Sequence, residues 1–199
     1  MEHMMRNGAH ICVDMQKMFS HGSEWHAPWM DRVLPAVSEL AGRFADRTIF
    51  TRFVPAQSPD TAPGAWQRVY ARWPGMTLDR LRPEMVELVP ELARYVPPAA
   101  VLDKQTYSPW YDGRLHRMLV EKNVATVLIS GGETDVCVLA TLLGAIDLGY
   151  RVVLPQDALF GSADETHDAI LKIYRSRFQQ QLTVCTTEDA TRFWEDLVA

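Results

Sequence analysis

The sequence predicts an α/β fold of three layers, in which a six-stranded, mainly parallel, doubly wound sheet lies between helices on both faces. Short apolar runs of strand length alternate with stretches of helical spacing along nearly the whole chain. The apolar runs lack polar alternation, which is typical of strands buried on both faces. A length of 199 residues without repeat or linker predicts a single domain over residues 1–199.

The composition narrows the classes of protein to which the chain can belong. Hydrophobic residues make up 47% of the chain and charged residues 23%, as in a typical globular protein. The net charge of −5, without a basic block, predicts no nucleic-acid partner and no anionic membrane partner. No apolar run approaches the roughly 20 residues of a membrane span, and residues 1–8 lack the apolar core of a secretory signal. The three cysteines are widely separated, which favours a reduced, cytoplasmic location.

The predicted sheet begins at residues 10–14, a short apolar run that ends in the carboxylate of Asp14. A loop at residues 18–30, rich in Trp, His, Gly and Pro, follows this strand. Residues 31–43 carry apolar side chains at helical spacing and predict the first crossover helix. Residues 47–53 are mostly β-branched or aromatic, which predicts the second strand.

A long insertion separates the second strand from the third. Prolines recur through residues 54–98 and interrupt any long element, so we expect loops with one short helix at residues 64–72. An insertion of this length in a compact domain is usually functional or disordered, and its aromatic residues argue against disorder. We therefore expect it to face a substrate.

Strands and helices alternate through the rest of the chain. The third strand, residues 99–104, ends in Lys104. Ser162 and Glu165 have the spacing of a capping box, which predicts the start of a helix. That helix is predicted to end near Arg177. The other predicted helices cover residues 113–121, 136–148 and 187–194, and the other predicted strands cover residues 125–129, 150–154 and 181–186.

Cys137 follows the fourth predicted strand and a turn that contains Gly131 and Gly132. At the first turn of a helix, free N–H groups and the helix dipole predict a stabilised thiolate. Parallel strands end at one edge of a sheet, where open α/β sheets place their chemistry, so Asp14, Lys104 and Cys137 can converge. There Cys137 is the nucleophile, Asp14 takes its proton and Lys104 holds the carboxylate. Backbone N–H groups of residues 133–137 can receive an oxyanion.

Each of these residues also has an ordinary structural interpretation. Free cysteine is among the most buried residue types, and Cys137 can simply pack in the core. Asp14 can cap the turn that follows its strand. Lys104 can extend its ammonium group to solvent. The functional interpretation depends on the three residues meeting at one place.

Three segments resemble the isochorismatase-like cysteine hydrolase superfamily: Val13-Asp-Met-Gln16, Leu102-Asp-Lys104 and Ser130-Gly-Gly-Glu-Thr-Asp-Val-Cys-Val138. The superfamily includes nicotinamidases, N-carbamoylsarcosine amidases and isochorismatases, and the resemblance spans roughly residues 9–187. It implies a six-stranded parallel sheet and a catalytic triad of Cys137, Asp14 and Lys104. It also implies a cis peptide at Gly132–Glu133, with the N–H groups of Glu133 and Cys137 as oxyanion donors.

The chain departs from the nicotinamidases of this superfamily at one site. Those enzymes carry an Asp-x-His…His metal site after the second strand, whereas residues 51–60 contain no histidine here. The six histidines, at positions 3, 10, 21, 26, 116 and 167, show no ligand spacing. We therefore predict no catalytic metal and no cofactor.

The predicted activity is metal-independent hydrolysis of a C–N bond in a small amide, carbamoyl or ureido compound, through a thioester at Cys137. Isochorismatases need no cysteine for vinyl-ether hydrolysis, so Cys137 favours cleavage of a C–N bond. One alternative is vinyl-ether hydrolysis with Asp14 as the acid. Another is a catalytically silent interaction protein that has kept the fold.

The sequence also predicts how the protein contacts its ligand and other copies of itself. Aromatic residues in the loops are candidates for a substrate pocket, or they pack on the core; these residues are Trp25, Trp66, Trp73, Tyr107 and Trp110. Arg52 and Arg72 can bind a substrate carboxylate, or lie at the solvated surface. Relatives in the superfamily are commonly oligomeric, which implies a dimer or tetramer of this chain.

Overall fold

The computed structural model describes residues 7–198, with side chains up to residue 194. Met1 to Arg6 lie outside the described residues. His3 and most of the residue 1–8 segment, for which we predicted no secretory signal, are therefore not described. No helix within residues 7–198 is both long enough and apolar enough to cross a membrane.

Seven parallel strands form the sheet, one more than the sequence predicts. They are β1 (Gly8–Val13), β2 (Thr48–Phe53), β3 (Ala100–Lys104), β4 (Thr126–Gly132), β5 (Arg151–Pro155), β6 (Leu159–Phe160) and β7 (Leu182–Cys185). Six of them run in the order β3-β2-β1-β4-β5-β7, and the two-residue β6 pairs with β4 beyond the end of β5. A strand as short as β6 has no periodicity to reveal it in a sequence.

Eight α-helices occur within the described residues. They are α1 (Lys17–Ser20), α2 (Met30–Arg43), α3 (Trp66–Arg72), α4 (Pro90–Ala93), α5 (Arg114–Glu121), α6 (Cys137–Asp147), α7 (Asp164–Arg177) and α8 (Thr187–Val198). The predicted capping box is wrong, because Ala163 is the N-cap of α7 and no side chain caps that helix. Ser162 instead hydrogen-bonds the carboxyl group of Glu133.

The strand order places a topological switch point between β1 and β4. From β1 the chain builds outward through β2 and β3, then returns to the other side of β1 to form β4. The connections that leave β1 and β4 therefore diverge and open a crevice at the carboxyl ends of these strands. Asp14 follows β1 directly, and α6 begins five residues after β4.

Helices cover both faces of the sheet. Side chains of β1 alternate between the two cores, since Ile11 and Val13 join one apolar cluster and Cys12 joins the other. The first cluster is completed by α5, α6 and α7, and the second by α2, α4 and α8. Burial on both faces explains why the strands read as unbroken apolar runs.

The insertion at residues 54–98 is ordered around the ends of β1 and β2. It holds two short α-helices, α3 and α4, and several 3₁₀ turns, so the prediction of one helix is incomplete. Gln16, which is fully buried, donates from Nε2 to the carbonyl oxygens of Phe53 at 2.9 Å and Val86 at 2.7 Å. The N–H of Phe53 donates back to Gln16 Oε1 at 2.7 Å. One side-chain amide thus ties the insertion to two strand ends.

A buried histidine on β1 connects the two neighbouring strands, β2 and β4, through its side chain. His10 of β1 has Nδ1 at 3.1 Å from Thr48 Oγ1 on β2 and Nε2 at 2.8 Å from Ser130 Oγ on β4. Both ring nitrogens therefore have hydroxyl partners, and burial lowers the pKa of His10 to about 3. The imidazole is neutral in the folded protein at neutral pH.

We expect this histidine to make folding stability depend on acidity. Below about pH 6.5 the unfolded chain takes up a proton at His10, whereas the folded chain does not do so until about pH 3. The His10 contribution to the free energy of unfolding therefore falls by about 1.4 kcal/mol for each pH unit in this window as the pH drops. Urea unfolding of wild type and His10→Gln at several pH values measures it. The variant should have the flatter curve, and parallel curves would contradict the assignment.

Candidate active site

The carboxyl ends of β1, β2 and β3 bring a carboxylate, a hydroxyl and an ammonium group together. Asp14 is 1% exposed and has a positive φ of 51°, a conformation that aspartate tolerates better than most residues. Its Oδ1 accepts a hydrogen bond from Thr51 Oγ1 at 2.6 Å, and its Oδ2 accepts one from Lys104 Nζ at 2.7 Å. Both carboxylate oxygens are therefore held in a fixed orientation.

The Lys104 ammonium group is buried beside this carboxylate and does not extend to solvent. Its Nζ also donates to the carbonyl oxygen of Thr106 at 3.1 Å and lies 5.2 Å from the centre of the Phe53 ring. Burial by itself would lower the pKa of Lys104, but Asp14 and Cys137 outweigh burial and raise it. Lys104 therefore stays charged and balances the Asp14 carboxylate.

Cys137 is the first residue of α6 and lies against the same pair. Burial raises the pKa of its thiol well above the ordinary value, and the Lys104 charge opposes this shift without cancelling it. A hydrogen bond between Cys137 and the Asp14 carboxylate raises the pKa further. The predicted stabilised thiolate is therefore wrong for the resting protein, in which Cys137 is a thiol hydrogen-bonded to Asp14.

The turn between β4 and α6 depends on two glycines. Gly131 has a φ of +99°, and a Cβ there would overlap the carbonyl oxygen of Val13 on β1. A Cβ on Gly132 would overlap the ring of Phe160 in β6. The peptide bond between Gly132 and Glu133 is cis. Glycine at both positions lets the turn pass close to β1 and β6 before α6 begins.

Polar contacts from two other segments hold the turn in place. The N–H and the hydroxyl of Thr134 both donate to the carbonyl oxygen of Phe160 at 2.8 Å. Thr134 Oγ1 is also 2.9 Å from His167 Nδ1, and the Tyr174 hydroxyl donates to the Thr134 carbonyl oxygen at 2.8 Å. Since β6 and α7 supply these partners, the turn is fixed independently of any ligand.

The N–H groups of Glu133, Asp135 and Cys137 in this turn have no acceptor within residues 7–198, and Glu133 and Cys137 line the cavity described below. The N–H groups of Val136 and Val138 both donate to the carbonyl oxygen of Glu133, at 3.1 and 3.0 Å. The N–H groups of Glu133 and Cys137 donate to no acceptor within residues 7–198. They are therefore available to an oxygen atom of a bound ligand.

A cavity of about 310 Å³ opens onto Cys137. Six aromatic residues belong to its lining, and we call this set the aromatic wall: Phe19, Trp25, Phe53, Trp66, Trp73 and Tyr107. The rings contact one another, with centroids 4.8 Å apart for Trp66 and Tyr107 and 5.9 Å apart for Trp25 and Phe53. The lining also contains polar residues, which are Glu24, His26, Glu133, Ser162 and Cys137. Four of the five aromatic residues named from the sequence thus lie in one cavity at the nucleophile.

Trp110, the fifth of those residues, does not line this cavity. Its Nε1 donates to the carbonyl oxygen of Thr141 in α6 at 2.8 Å, and its ring stacks on Tyr150 with centroids 5.8 Å apart. Gly144 of α6 makes room for it, because a Cβ there would overlap the Trp110 indole. Trp110 therefore anchors the loop after β3 onto α6.

The two arginines considered for a substrate carboxylate are also outside this cavity. Arg52 donates to both oxygens of Asp103, at 2.7 and 3.0 Å, and to Glu87 at 2.5 Å. The guanidinium carbon of Arg72 lies 5.1 Å from the centre of the Trp73 ring, and Arg72 is not part of the cavity lining. Neither guanidinium faces Cys137.

Sequence reasoning missed several residues of the site. Thr51 reads as an ordinary β-branched strand residue, and only the register of β1 with β2 places it beside Asp14. Gln16 lies within the quoted Val13–Gln16 segment, but nothing in its spacing reveals its amide contacts. Glu24 and His26 lie in a loop without periodicity, so no signal marked them as cavity residues.

The residues do not fit a metal centre of the nicotinamidase kind. Within the described part of the chain, no three His, Cys, Asp or Glu side chains are grouped so that they could hold a metal ion. Residues 51–60, at and after the end of β2, contain no histidine.

Solved structures with this fold include two enzymes that align over nearly the whole chain. The protein is similar to a cysteine hydrolase from Pseudomonas syringae pv. phaseolicola 1448A, with a TM-score of 0.80, 22% identity, and coverage of 98% of this chain and 94% of that chain. It is also similar to N-carbamoylsarcosine amidase from Thermoplasma acidophilum, with a TM-score of 0.72, 22% identity, and coverage of 92% and 97%. At these identities the similarity shows the fold.

Sequence comparison gives the family. Over 82 residues the chain is 28% identical to the uncharacterized isochorismatase family protein YaaI of Bacillus subtilis strain 168, a match that covers 41% of this chain and 45% of that protein. The family model of the isochorismatase domain matches residues 8–189. Because this match takes in every strand and the residues around Asp14, Lys104 and Cys137, the protein belongs to the isochorismatase-like hydrolase family.

Proposed function

We propose that the protein hydrolyses a C–N bond of a small amide, carbamoyl or ureido compound through a thioester at Cys137. The observation that carries the proposal is the arrangement around Asp14. This carboxylate accepts hydrogen bonds from Lys104 and Thr51 and is also hydrogen-bonded to the Cys137 thiol, which faces the cavity. A nucleophile, a base and a group that orients the base are the parts that covalent acyl transfer requires.

The first half-reaction forms the thioester. Cys137 Sγ attacks the carbonyl carbon while its proton moves to Asp14, and the carbonyl π electrons move onto oxygen. The N–H groups of Glu133 and Cys137 stabilise that oxyanion. When the tetrahedral adduct collapses, the C–N bond breaks and Asp14 returns its proton to the departing nitrogen. Ammonia or an amine leaves, and the acyl group remains on Cys137.

The second half-reaction reverses the proton transfers with water in place of the thiol. Asp14 takes a proton from water as the oxygen attacks the thioester carbon, and the same N–H groups receive the oxyanion. Collapse breaks the C–S bond, Asp14 returns the proton to Cys137, and a carboxylic acid is released. The sum is one amide plus one water giving one acid and one amine.

A raised thiol pKa is compatible with this sequence because attack and proton transfer occur together. The resting thiol is already hydrogen-bonded to its base, so no separate step forms a free thiolate in a buried site. Lys104 holds the Asp14 carboxylate in place for that proton transfer, because its ammonium group donates to Oδ2 at 2.7 Å.

Ammonia release from metal-free protein tests the proposal. We expect wild type to release ammonia from at least one member of a panel of small primary amides and ureido acids, and Cys137→Ala to release none above background. Cys185→Ala, which changes a cysteine of β7 away from the cavity, is the matched control and should keep wild-type activity. A thioester trapped on Cys137 by rapid acid quench and mass spectrometry would identify the intermediate.

Two outcomes would contradict the proposed chemistry. Activity that survives Cys137→Ala would remove the thioester and leave Asp14 acting as an acid, as in vinyl-ether hydrolysis. No turnover of any panel member by wild type would indicate a silent member of the family.

A further inference from the structure

The cavity at Cys137 combines aromatic faces with carboxyl groups. The aromatic wall supplies six rings, and Glu24 and Glu133 lie in the same lining. No lysine or arginine lines this cavity among the described residues. A site of this composition presents negative charge and π faces to whatever enters it.

Glu133 is the carboxyl group nearest the chemistry. It follows the glycine turn and its side chain is half-buried, with a hydrogen bond from Ser162. Burial raises the pKa of Glu133, and the charge of Asp135 acts in the same direction. It forms no ion pair with any described residue, so its negative charge lacks a protein counterion within the cavity.

Glu24 adds a second carboxylate at the outer part of the cavity. Its Oε2 occupies the space that a Cβ on Gly75 of the insertion would need, so the carboxylate lies where the residue 18–30 loop meets the insertion. Glu24 also has no ion-pair partner within residues 7–194. The two residues come from different segments, and both belong to the lining of the cavity at Cys137, Glu133 half-buried and Glu24 exposed.

The positively charged side chains near the site already interact with other groups of the protein. Lys104 is bound to Asp14 at 2.7 Å, and Arg52 is bound to Asp103 and Glu87. Arg72 lies over the Trp73 ring outside the lining. A substrate carboxylate would therefore enter a cavity that offers it two like charges and no free guanidinium or ammonium group.

We propose that the substrate carries a cationic group, a tertiary or quaternary ammonium, which the aromatic wall and the carboxylates of Glu24 and Glu133 bind while its amide carbonyl faces Cys137. Cations over aromatic faces are attracted by the ring quadrupole, most strongly by tryptophan, and three of the six rings are tryptophan. This inference rests on the proposed function for the reacting bond and adds the chemical class of the rest of the substrate.

The cavity volume limits the size of that group. About 310 Å³ is at the lower end of the range for small-molecule sites, so the site fits a compact ligand of roughly drug-fragment size. A trimethylammonium group joined to a primary amide by a short methylene chain meets this limit.

Three primary amides of equal chain length distinguish the effect of the ligand's charge on binding from the effect of its shape. The probes are trimethylammoniobutanamide, its neutral isostere with a tert-butyl group, and glutarate monoamide, which carries a carboxylate. In each probe three methylene groups separate the variable end from the carbonyl, so intrinsic reactivity is nearly the same. Binding is measured on Cys137→Ala at about pH 8 by quenching of tryptophan fluorescence, with calorimetry as a cross-check.

We expect the cationic amide to bind about tenfold or more tightly than the neutral isostere, and the anionic amide to bind most weakly. Glu133→Gln in the same background should reduce the preference for the cation severalfold and leave the affinity for the neutral probe nearly unchanged. Glu121→Gln, at the exposed end of α5 on the opposite edge of the sheet, is the matched control and should leave all three affinities unchanged.

Equal affinity for the cationic and neutral probes, or tighter binding of glutarate monoamide, would overturn the inference. Because binding is measured without the nucleophile, these outcomes are independent of turnover. If wild type binds the cationic amide selectively but releases no ammonia from any amide, the charge preference stands and the proposed C–N hydrolysis fails.

Discussion

Replacing Asp14 with asparagine is expected to reduce kcat/KM on the order of 10⁴-fold. The amide can neither accept the Cys137 proton nor return one to the departing nitrogen, so both half-reactions lose their acid–base group. Asparagine tolerates the positive φ of 51° at this position, so the backbone of the turn is retained. Initial rates on the best substrate of the amide panel measure the effect.

The same substitution has a second expected effect, on stability. It leaves the Lys104 ammonium buried without its counterion, which costs about 3–5 kcal/mol in the free energy of unfolding. Adding Lys104→Met removes the unpaired charge, so the double variant should recover much of the stability and none of the activity. Urea unfolding of the single and double variants separates a loss of chemistry from a loss of structure.

Asp103→Asn is the matched control for this experiment. Asp103 also lies at the carboxyl end of β3, but it pairs with Arg52 at a partly exposed site. Its replacement should change kcat/KM by no more than a few fold. Asp14→Asn with more than about a tenth of wild-type activity would show that Asp14 is not the base.

Replacing Gly131 with alanine is expected to destabilise the fold around the site strongly. A Cβ at this position would overlap the Val13 carbonyl oxygen, and the φ of +99° is unfavourable for alanine. Because β1 and β4 are adjacent central strands, neither can move away without breaking the sheet. We expect a loss of about 3–5 kcal/mol in the free energy of unfolding, from backbone strain and overpacking together.

Gly149→Ala tests the steric part of that argument. Gly149 also has a positive φ, of +86°, but nothing lies within 4 Å of a Cβ built there. The substitution should cost only about 1–2 kcal/mol, the price of the backbone conformation. Equal losses for the two variants, measured by urea unfolding, would mean that the contact with β1 is not what requires glycine at position 131.

The strand ends of the fold were predictable from the sequence because burial on both faces leaves a strong local pattern. Apolar runs fixed where β1, β3 and β4 lie, and the alternation with helices predicted that these strands are parallel. Asp14, Lys104 and Cys137 were found for the same reason, since each interrupts or follows such a run. A polar residue at the end of a buried strand needs a partner, and the edge of the sheet limits which partners are near.

The side-chain contacts around the cavity were not predictable in this way. Trp110 and Trp66 both follow strands in aromatic, proline-containing loops, yet one fills the space above Gly144 and the other faces Cys137. Arg52 was considered for a ligand, but the β2–β3 register places Asp103 opposite it. The location of each of these side chains depends on contacts between segments that are distant in sequence, and hydrophobic periodicity does not predict such contacts.

The protonation state of Cys137 shows the same limit. Its position at the start of α6 predicts a lowered thiol pKa, but burial and the neighbouring Asp14 carboxylate determine the outcome and raise it. The position of a cysteine at a helix start predicts one contribution to its pKa, but the residues packed around it determine the total shift.

The proposed reacting groups and most of the cavity lining lie in different parts of the chain, which affects how this protein can evolve. The groups proposed for bond breaking belong to the central strands and α6, whereas most of the aromatic wall belongs to the residue 18–30 loop and the insertion. Gln16 and the backbone pairing of Lys17 with Glu87, at 3.0 Å, attach the insertion at a few points. Mutation can therefore alter ligand preference without touching the reaction centre, and duplicated copies of such a gene can acquire new substrates while inheriting one chemistry.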